Sequence, residues 1–327
     1  MRNIGQEKCE LGGKKGDLVV YSPPQYQPTM RVFIGLFLFL SYMSSAQEIV
    51  PLYPNGVPGL QAQNVPEKKE GANITNVTQP TLALFFAERK TSDAAVVICP
   101  GGGYGVLAYK KEGEDLAGWF NAQGMIAVVL KYRLPQEEFF SDAGIRPLQD
   151  AQRALAYVRQ KASDWNVKQV GIMGFSAGGH LAATASTLFG QPVGENPPLA
   201  SEVRPDFSLL IYPVITMDAG LTHEGSRRNL LGKSPSEDLV KKYSPEKQVN
   251  ADTPPVFLLS TTDDWVQAEN AISYYLAAKK HKVPAELHVF EKGGHGYALT
   301  KADRGPIETW PTLLKGWLQE HKFIQQP

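Results

Sequence analysis

From Gln47 onward, short apolar, β-branched runs alternate with longer stretches whose apolar positions recur every three or four residues. The runs 94–99, 125–131, 169–173, 207–212, 256–260 and 285–290 predict strands, with an earlier one at 82–86. Several are apolar almost throughout, as expected of strands covered on both faces of a parallel sheet. The stretches 114–123, 147–162, 179–188, 266–281 and 309–321 carry helical spacing. In the second of these, Leu148, Ala151, Leu155 and Val158 share one face, and in the last Leu313, Leu314 and Trp317 do the same. Strand–helix alternation predicts a doubly wound, mostly parallel α/β sheet with right-handed crossovers.

Two segments break this rhythm. Residues 52–80 are rich in Pro, Asn and Gly and predict a surface wrap. Residues 213–254 separate two strands by about forty positions, more than a crossover needs, and predict a small cap or binding excursion.

The N-terminal region has a different pattern. Residues 1–29 are polar, Met30-Arg31 precedes the apolar run 32–40, and Ser44 and Ala46 are small residues flanking a cleavage position before Gln47. A basic start, a short apolar run and a small-residue exit describe a secretory signal peptide, with Met30 the expected start. The run is shorter than the ~20 residues a membrane span requires. The expectation is therefore a leader over 1–46, a single domain over 47–327, and a secreted or periplasmic location.

Composition narrows the function. Lys+Arg and Asp+Glu number 33 each, so the net charge is zero, and no basic stripe is present. Nucleic acid is an unexpected partner for such a surface. Removal of 1–46 would take Cys9 with it, leaving Cys99 in an apolar strand as a buried, inert thiol. No His or Cys spacing suits a metal, and no cofactor is expected.

The candidate chemistry begins with Gly174-Phe175-Ser176-Ala177-Gly178, placed between a predicted strand and a predicted helix. That context makes G-x-S-x-G a nucleophile turn, with helix N–H groups aimed at developing negative charge. Upstream, Cys99-Pro100-Gly101-Gly102-Gly103-Tyr104-Gly105 follows another strand and lacks the Lys-Ser/Thr of a phosphate loop. It stands where oxyanion N–H donors belong in such hydrolases. The acid and base should follow in that order at later strand ends. Thr262-Asp263-Asp264-Trp265 supplies the acid and Gly294-His295-Gly296 the base. Asp263 is preferred to Asp264 because it leaves the strand first and sits three residues before Val266. His180, one helical turn after Ser176, reads as packed and hydrogen-bonded, and His281, His288 and His321 as structural or solvated. Tyr104, His223 and Trp265 are the candidate substrate contacts.

Taken in order, PGGGYG, KYRLP (131–135), PLQDAQRALAYVR (147–159), GFSAGGHLA (174–182), TTDDWV (261–266) and EKGGHGYAL (291–299) resemble the secreted bacterial acetyl-xylan-esterase-like branch of the α/β-hydrolases. That branch is grouped with feruloyl-esterase-like and dienelactone-hydrolase-like proteins. The resemblance covers about residues 50–325 and extends to THEGSRRNLLG in the excursion, which borders the pocket in this branch. It implies metal-free hydrolysis of carboxylic, foremost acetyl, esters on plant polysaccharide. It further implies Ser176 as nucleophile, Asp263 as acid and His295 as base, with Ala177, Gly102 and Gly103 forming the oxyanion hole. Dienelactone hydrolases use cysteine where this chain has serine. Two other readings are a peptidase similar to the prolyl oligopeptidase group and a non-catalytic binding module. The former group carries a long N-terminal propeller, for which 281 residues leave no room, and the latter would not need an intact triad.

Overall fold

In the computed structural model of the chain, residues 48–61, 65–299 and 303–326 are described; the leader, signal-peptide, start and Cys9 expectations fall outside them. The described chain runs β1 (Glu48–Pro51), β2 (Lys68–Glu70), β3 (Asn73–Thr75), β4 (Thr81–Phe85), β5 (Ala94–Cys99), α1 (Asp115–Ala122), β6 (Ile126–Lys131), α2 (Arg146–Gln160), β7 (Gln169–Phe175) and α3 (Ser176–Thr187). It continues with α4 (Ala200–Val203), β8 (Phe207–Ile211), α5 (Glu224–Leu231), α6 (Glu237–Lys242), β9 (Val256–Thr261), α7 (Glu269–Lys280), β10 (Ala285–Phe290) and α8 (Trp310–Glu320). A π-helical turn, Lys110–Glu114, leads into α1.

Eight strands form one sheet in the order β1-β4-β6-β5-β7-β8-β9-β10. The pairings from β6 to β10 are parallel, while β1–β4 and β4–β6 are antiparallel. Every predicted strand and helix is present, with ends shifted by a few residues. The surface wrap over 52–80 also contains the small hairpin β2–β3, which the Pro/Asn/Gly content concealed.

Alternation along β5 shows how the sheet is buried. Ala95, Val97 and Cys99 point into a core shared with Leu148 and Leu155 of α2, Leu181 of α3 and Tyr274 of α7. Ala94, Val96 and Ile98 face the opposite core, with Leu116 and Phe120 of α1 and Leu314 and Trp317 of α8. All six are fully buried. At ~25 cal/mol per Å² of apolar surface removed from water, these two faces dominate the favourable energy of folding. Cys99 is the buried thiol expected, and burial pushes its pKa up.

A buried charge pair fastens the N-terminal wrap to this frame. Arg133, just past β6, donates to both carboxylate oxygens of Asp150 on α2, to the Pro58 carbonyl and to Gln149. Asp150 also accepts the Arg133 backbone N–H, and both side chains are fully excluded from solvent. The pair thus explains the KYRLP segment as a structural clamp. Removing one partner of such a pair strands a charge and typically costs 3–5 kcal/mol, whereas replacing both with apolar residues is often close to neutral. Urea unfolding of Arg133→Met should therefore show a loss of about 3–5 kcal/mol, most of it recovered in Arg133→Met/Asp150→Leu.

Candidate functional site

The parallel strands bring their C-terminal ends together, and each end carries one polar group of the site. Ser176 follows β7 directly as the first residue of α3, with its backbone at φ +51°. This left-handed conformation is costly for a serine, and only tight neighbours hold it. A Cβ on Gly174 would overlap the Gly178 carbonyl, and one on Gly178 would overlap the Cys99 carbonyl, so both flanking positions require glycine.

His295, after β10, meets this serine: its Nε2 lies 2.9 Å from Ser176 Oγ. Its Nδ1 lies 2.7 and 2.9 Å from the two carboxylate oxygens of Asp264. A carboxylate can only accept, so Nδ1 carries the proton and Nε2 is left to accept from the serine hydroxyl. Asp264 is fully buried on its side chain and also accepts the Val266 N–H at 2.7 Å.

The aspartate expected at this position, Asp263, is elsewhere. It is exposed, and its carboxylate accepts the N–H groups of Gly293 (3.2 Å) and Gly294 (2.8 Å). The Gly294 N–H, above all, holds its pKa below the usual value. The physical reason is parity. From Asp264 to Asn270 alternate residues are buried, so Asp264, Val266 and Ala268 face in and Trp265 faces out, whereas Thr262 and Asp263 are both exposed where the chain leaves the buried Thr261 at the end of β9. Two-residue spacing from the apolar Val266 marks the inward acid; the three-residue spacing used to choose Asp263 belongs to a helix. Asp263 instead braces the turn that carries His295.

The glycine loop after β5 lies beside the elbow: a Cβ on Gly101 would come within 2.9 Å of Ser176 Cβ. The N–H groups of Gly102 and Gly103 find no protein acceptor among the described residues. That of Ala177 is in the first turn of α3, where N–H groups lack intrahelical partners. Three expected donors are therefore unspent.

Of the expected substrate contacts, Trp265 is 60% exposed and packs against His295, ring centroids 4.2 Å apart. His223, at the N-terminus of α5, packs on Trp265 at 4.6 Å, and its Cε1 is 3.7 Å from where a Gly103 Cβ would stand. These rings form one wall beside the serine. Tyr104 lines the cleft beside Asn229, but it is 2% exposed and its hydroxyl is 2.7 Å from His180 Nδ1. A phenol buried and bonded in this way offers substrate no polar contact.

Four groups escaped the sequence reading. Asp264 was passed over, while Glu112, Tyr212 and Asn229 were not singled out. Glu112, from the π-helical turn, is buried and accepts from the Gly101 N–H (2.8 Å) and the Tyr212 hydroxyl (2.9 Å). Burial pushes its pKa up, and those two donors oppose the rise. Tyr212, just after β8, rests its ring 4.8 Å from that of His295. Asn229 of α5 donates to the Gly103 carbonyl at 2.8 Å, tying the 213–254 cap to the glycine loop. On the far side of Asn229 opens a cleft of ≈ 730 Å³, bordered by Gly105, Gln136, Glu137, Asp142 and Arg228. Among the described residues, no cluster of three or more His, Cys, Asp or Glu could hold a metal, and no helix is long and apolar enough to cross a membrane.

Known proteins resemble this chain over most of its described length. The BD-FAE family pattern matches residues 82–278. An acetylxylan esterase of Xylanibacter ruminicola is 37% identical over 245 residues, covering 73% of this chain and 47% of that protein. An endo-1,4-beta-xylanase B of Butyrivibrio fibrisolvens is 35% identical, covering 71% of this chain and 36% of that protein. The chain thus spans less than half the length of these curated relatives. The crystal structure of an acetyl ester-xyloside bifunctional hydrolase from Caldicellulosiruptor lactoaceticus superposes with a TM-score of 0.71 at 34% identity, covering 87% of this chain and all of that one. The fold is that of the α/β-hydrolases.

The two aspartates separate by mutation. Asp264→Asn should cut kcat for an ester such as 4-nitrophenyl acetate by about 10³–10⁴-fold, because the asparagine supports the wrong imidazole tautomer. Asp263→Asn should cost less than about 10-fold, since only the His295 turn loosens. Equal losses would remove the distinction.

His180 supplies a second test, on stability. It is fully buried, with Nε2 2.8 Å from the Tyr243 carbonyl, so Nε2 carries the proton and Nδ1 accepts from Tyr104. Burial lowers its pKa to about 4. Above pH ~6.5 it is neutral both folded and unfolded; as pH falls towards 4 only the unfolded chain takes up the proton, so stability declines. Wild-type stability should drop by up to about 3 kcal/mol from this group over that window, and His180→Gln should flatten the slope.

Proposed function

The chain belongs to the BD-FAE family, and we propose that it is an exported serine esterase that removes acetyl groups from plant-polysaccharide carbohydrate. The observation that carries this reading is the relay Asp264–His295–Ser176, closed by bonds of 2.7 and 2.9 Å at a strained elbow. Export rests on the sequence pattern of residues 30–46, and the acetylated-xylan preference on the names of the relatives.

In the reaction, Ser176 Oγ bonds to the acyl carbon as its proton passes to His295 Nε2. Asp264 stabilises the resulting imidazolium. The carbonyl oxygen becomes an oxyanion, stabilised by the N–H groups of Ala177, Gly102 and Gly103. Collapse breaks the bond to the sugar oxygen, which takes the proton from His295 and departs as the free alcohol. Water then attacks the acyl-enzyme and gives its proton to His295. The second collapse releases the carboxylic acid and returns the proton to Ser176. The half-buried His223 and exposed Trp265 offer a ring surface for the sugar, and the cleft beyond Asn229 gives room for a longer chain.

Acetylated xylan, 4-nitrophenyl acetate and a peptide anilide should be assayed in parallel. The wild type is expected to release acetate from both esters and leave the anilide intact, with Ser176→Ala losing several orders of magnitude in kcat on both. Trp265→Ala should raise KM on acetylated xylan by about 10-fold and change 4-nitrophenyl acetate turnover by less than about threefold. Retained esterase activity in Ser176→Ala, or anilide cleavage without ester cleavage, would refute this reading.

A further inference from the structure

Glu112 has no place in the relay, yet it is a carboxylic acid only 5% exposed beside a site that must stabilise negative charge. An acid so placed needs a compensating reason, because burying it is expensive. Its two oxygens divide between two parts of the site. Oε2 accepts the Gly101 N–H at 2.8 Å, and Oε1 accepts the Tyr212 hydroxyl at 2.9 Å. The Gly101 carbonyl is held as well, by the Ala108 N–H at 2.9 Å, and the Pro100 carbonyl by the Tyr132 hydroxyl at 2.7 Å. The Glu112 N–H in turn donates to the Ala108 carbonyl, which closes a ring from the glycine loop to the π-helical turn. The neighbouring Lys111 ammonium donates to the Gly296 carbonyl, next to His295.

The geometry points to Glu112 as a positioning residue: its carboxylate fixes the Gly101 peptide, so that the next two N–H groups face the oxyanion formed on the acyl group at Ser176, and through Tyr212 it supports the His295 ring. The inference rests on the acyl-transfer reading above. The argument for aim is local. Gly101 abuts Ser176, and Gly102 and Gly103, at φ +129° and +63°, have no side chains to orient them. Their direction is therefore inherited from the residue before them, where Glu112 takes the N–H that would otherwise be free to rotate with the loop. A π-helical turn adds a residue to the helix and alters which side chains face inward, and such turns recur at functional sites. Here it buries Glu112 together with Gly113, while Lys111 and Glu114 on either side are half-buried. Tyr212 carries the same support across the sheet. It lies at φ +37° between the strand ends of β7 and β9, and its ring touches both His295 and Phe175, the residue before the nucleophile.

Glu112→Gln is the closest substitution. Its carbonyl oxygen can still accept from Gly101, but its amide nitrogen must then donate to the Tyr212 oxygen, so that bond is reversed and both contacts lose the carboxylate's charge. Losing one oxyanion donor outright costs roughly 10²–10³-fold in kcat, and misaiming should cost less. The full-length protein is titrated with diethyl 4-nitrophenyl phosphate, carried to completion to count reactive serines, and then assayed on 4-nitrophenyl acetate. The expected result for Glu112→Gln is a kcat per reactive serine lowered about 10–100-fold with KM within about threefold, and slower phosphorylation by a similar factor. A purely structural role would reduce the number of reactive serines and leave kcat per serine unchanged. That outcome, or a rise in KM at constant kcat, overturns the inference. Should Glu112→Gln fail to fold, Tyr212→Phe keeps the Gly101 contact and removes the other; its expected loss is about 3–10-fold per serine, and no loss overturns the inference. An active wild type with a silent Ser176→Ala leaves the acyl-transfer reading standing whichever way Glu112 behaves; an inactive wild type removes both.

Discussion

Everything at this site depends on one tight approach, where α3 leaves β7 so sharply that the Gly178 backbone presses against the carbonyls at the end of β5. Only glycine fits there, and only glycine fits at Gly174, so the chain between them must turn through Ser176 at positive φ. The conformation is unfavourable locally, of order 1–3 kcal/mol, and the packed sheet on both sides offsets that cost. The same approach puts the end of β5 next to the nucleophile. A serine hydroxyl and a set of unspent N–H groups therefore converge because two adjacent parallel strands end together.

The electrostatics are arranged around that turn in layers. Asp264 is paired to His295 in a fully buried position, and Glu112 lies behind the glycine loop with both oxygens occupied by neutral donors. Neither acid is left without hydrogen bonds, which is what makes burial of each tolerable. Arg133 and Asp150 solve a different problem with the same means: they join a loop, a strand end and a helix in the frame below. The contrast is useful, since one buried carboxylate serves the proposed chemistry, a second aims it, and a third holds the fold together.

Much of this was legible in the residues. Strand–helix alternation, the G-x-S-x-G turn, the glycine loop and His295 all follow from local patterns that the backbone must obey. His180 was correctly read as packed, and its bonds to Tyr104 and Tyr243 explain why. The aspartate was misread because the choice turned on side-chain parity past the end of β9, where strand and helix spacings give opposite answers. Tyr104 borders the cleft as well, although its hydroxyl is spent on His180, a bond that nothing local in the glycine loop announces. Glu112 left no signal at all. It stands among Lys110, Lys111, Glu114 and Asp115, a charged run with no apolar periodicity to mark one member as buried, and the π-helical turn brings it inward.

The parity of residues 263–266 has a consequence for how such a protein can diversify. Asp264 inward and Trp265 outward are set by a two-residue alternation, so inserting or deleting one residue there would exchange their directions and lose acid and ring wall together. That turn is fixed in length. The 213–254 segment is divided: Val214, Ile215 and Met217 are built into the core, whereas Asn229 meets Gly103, His223 meets Trp265, and residues 228–233 border the open cleft. Changes in the stretch 228–233 can therefore reshape the cleft while the relay and the core-packed start of the segment stay in place.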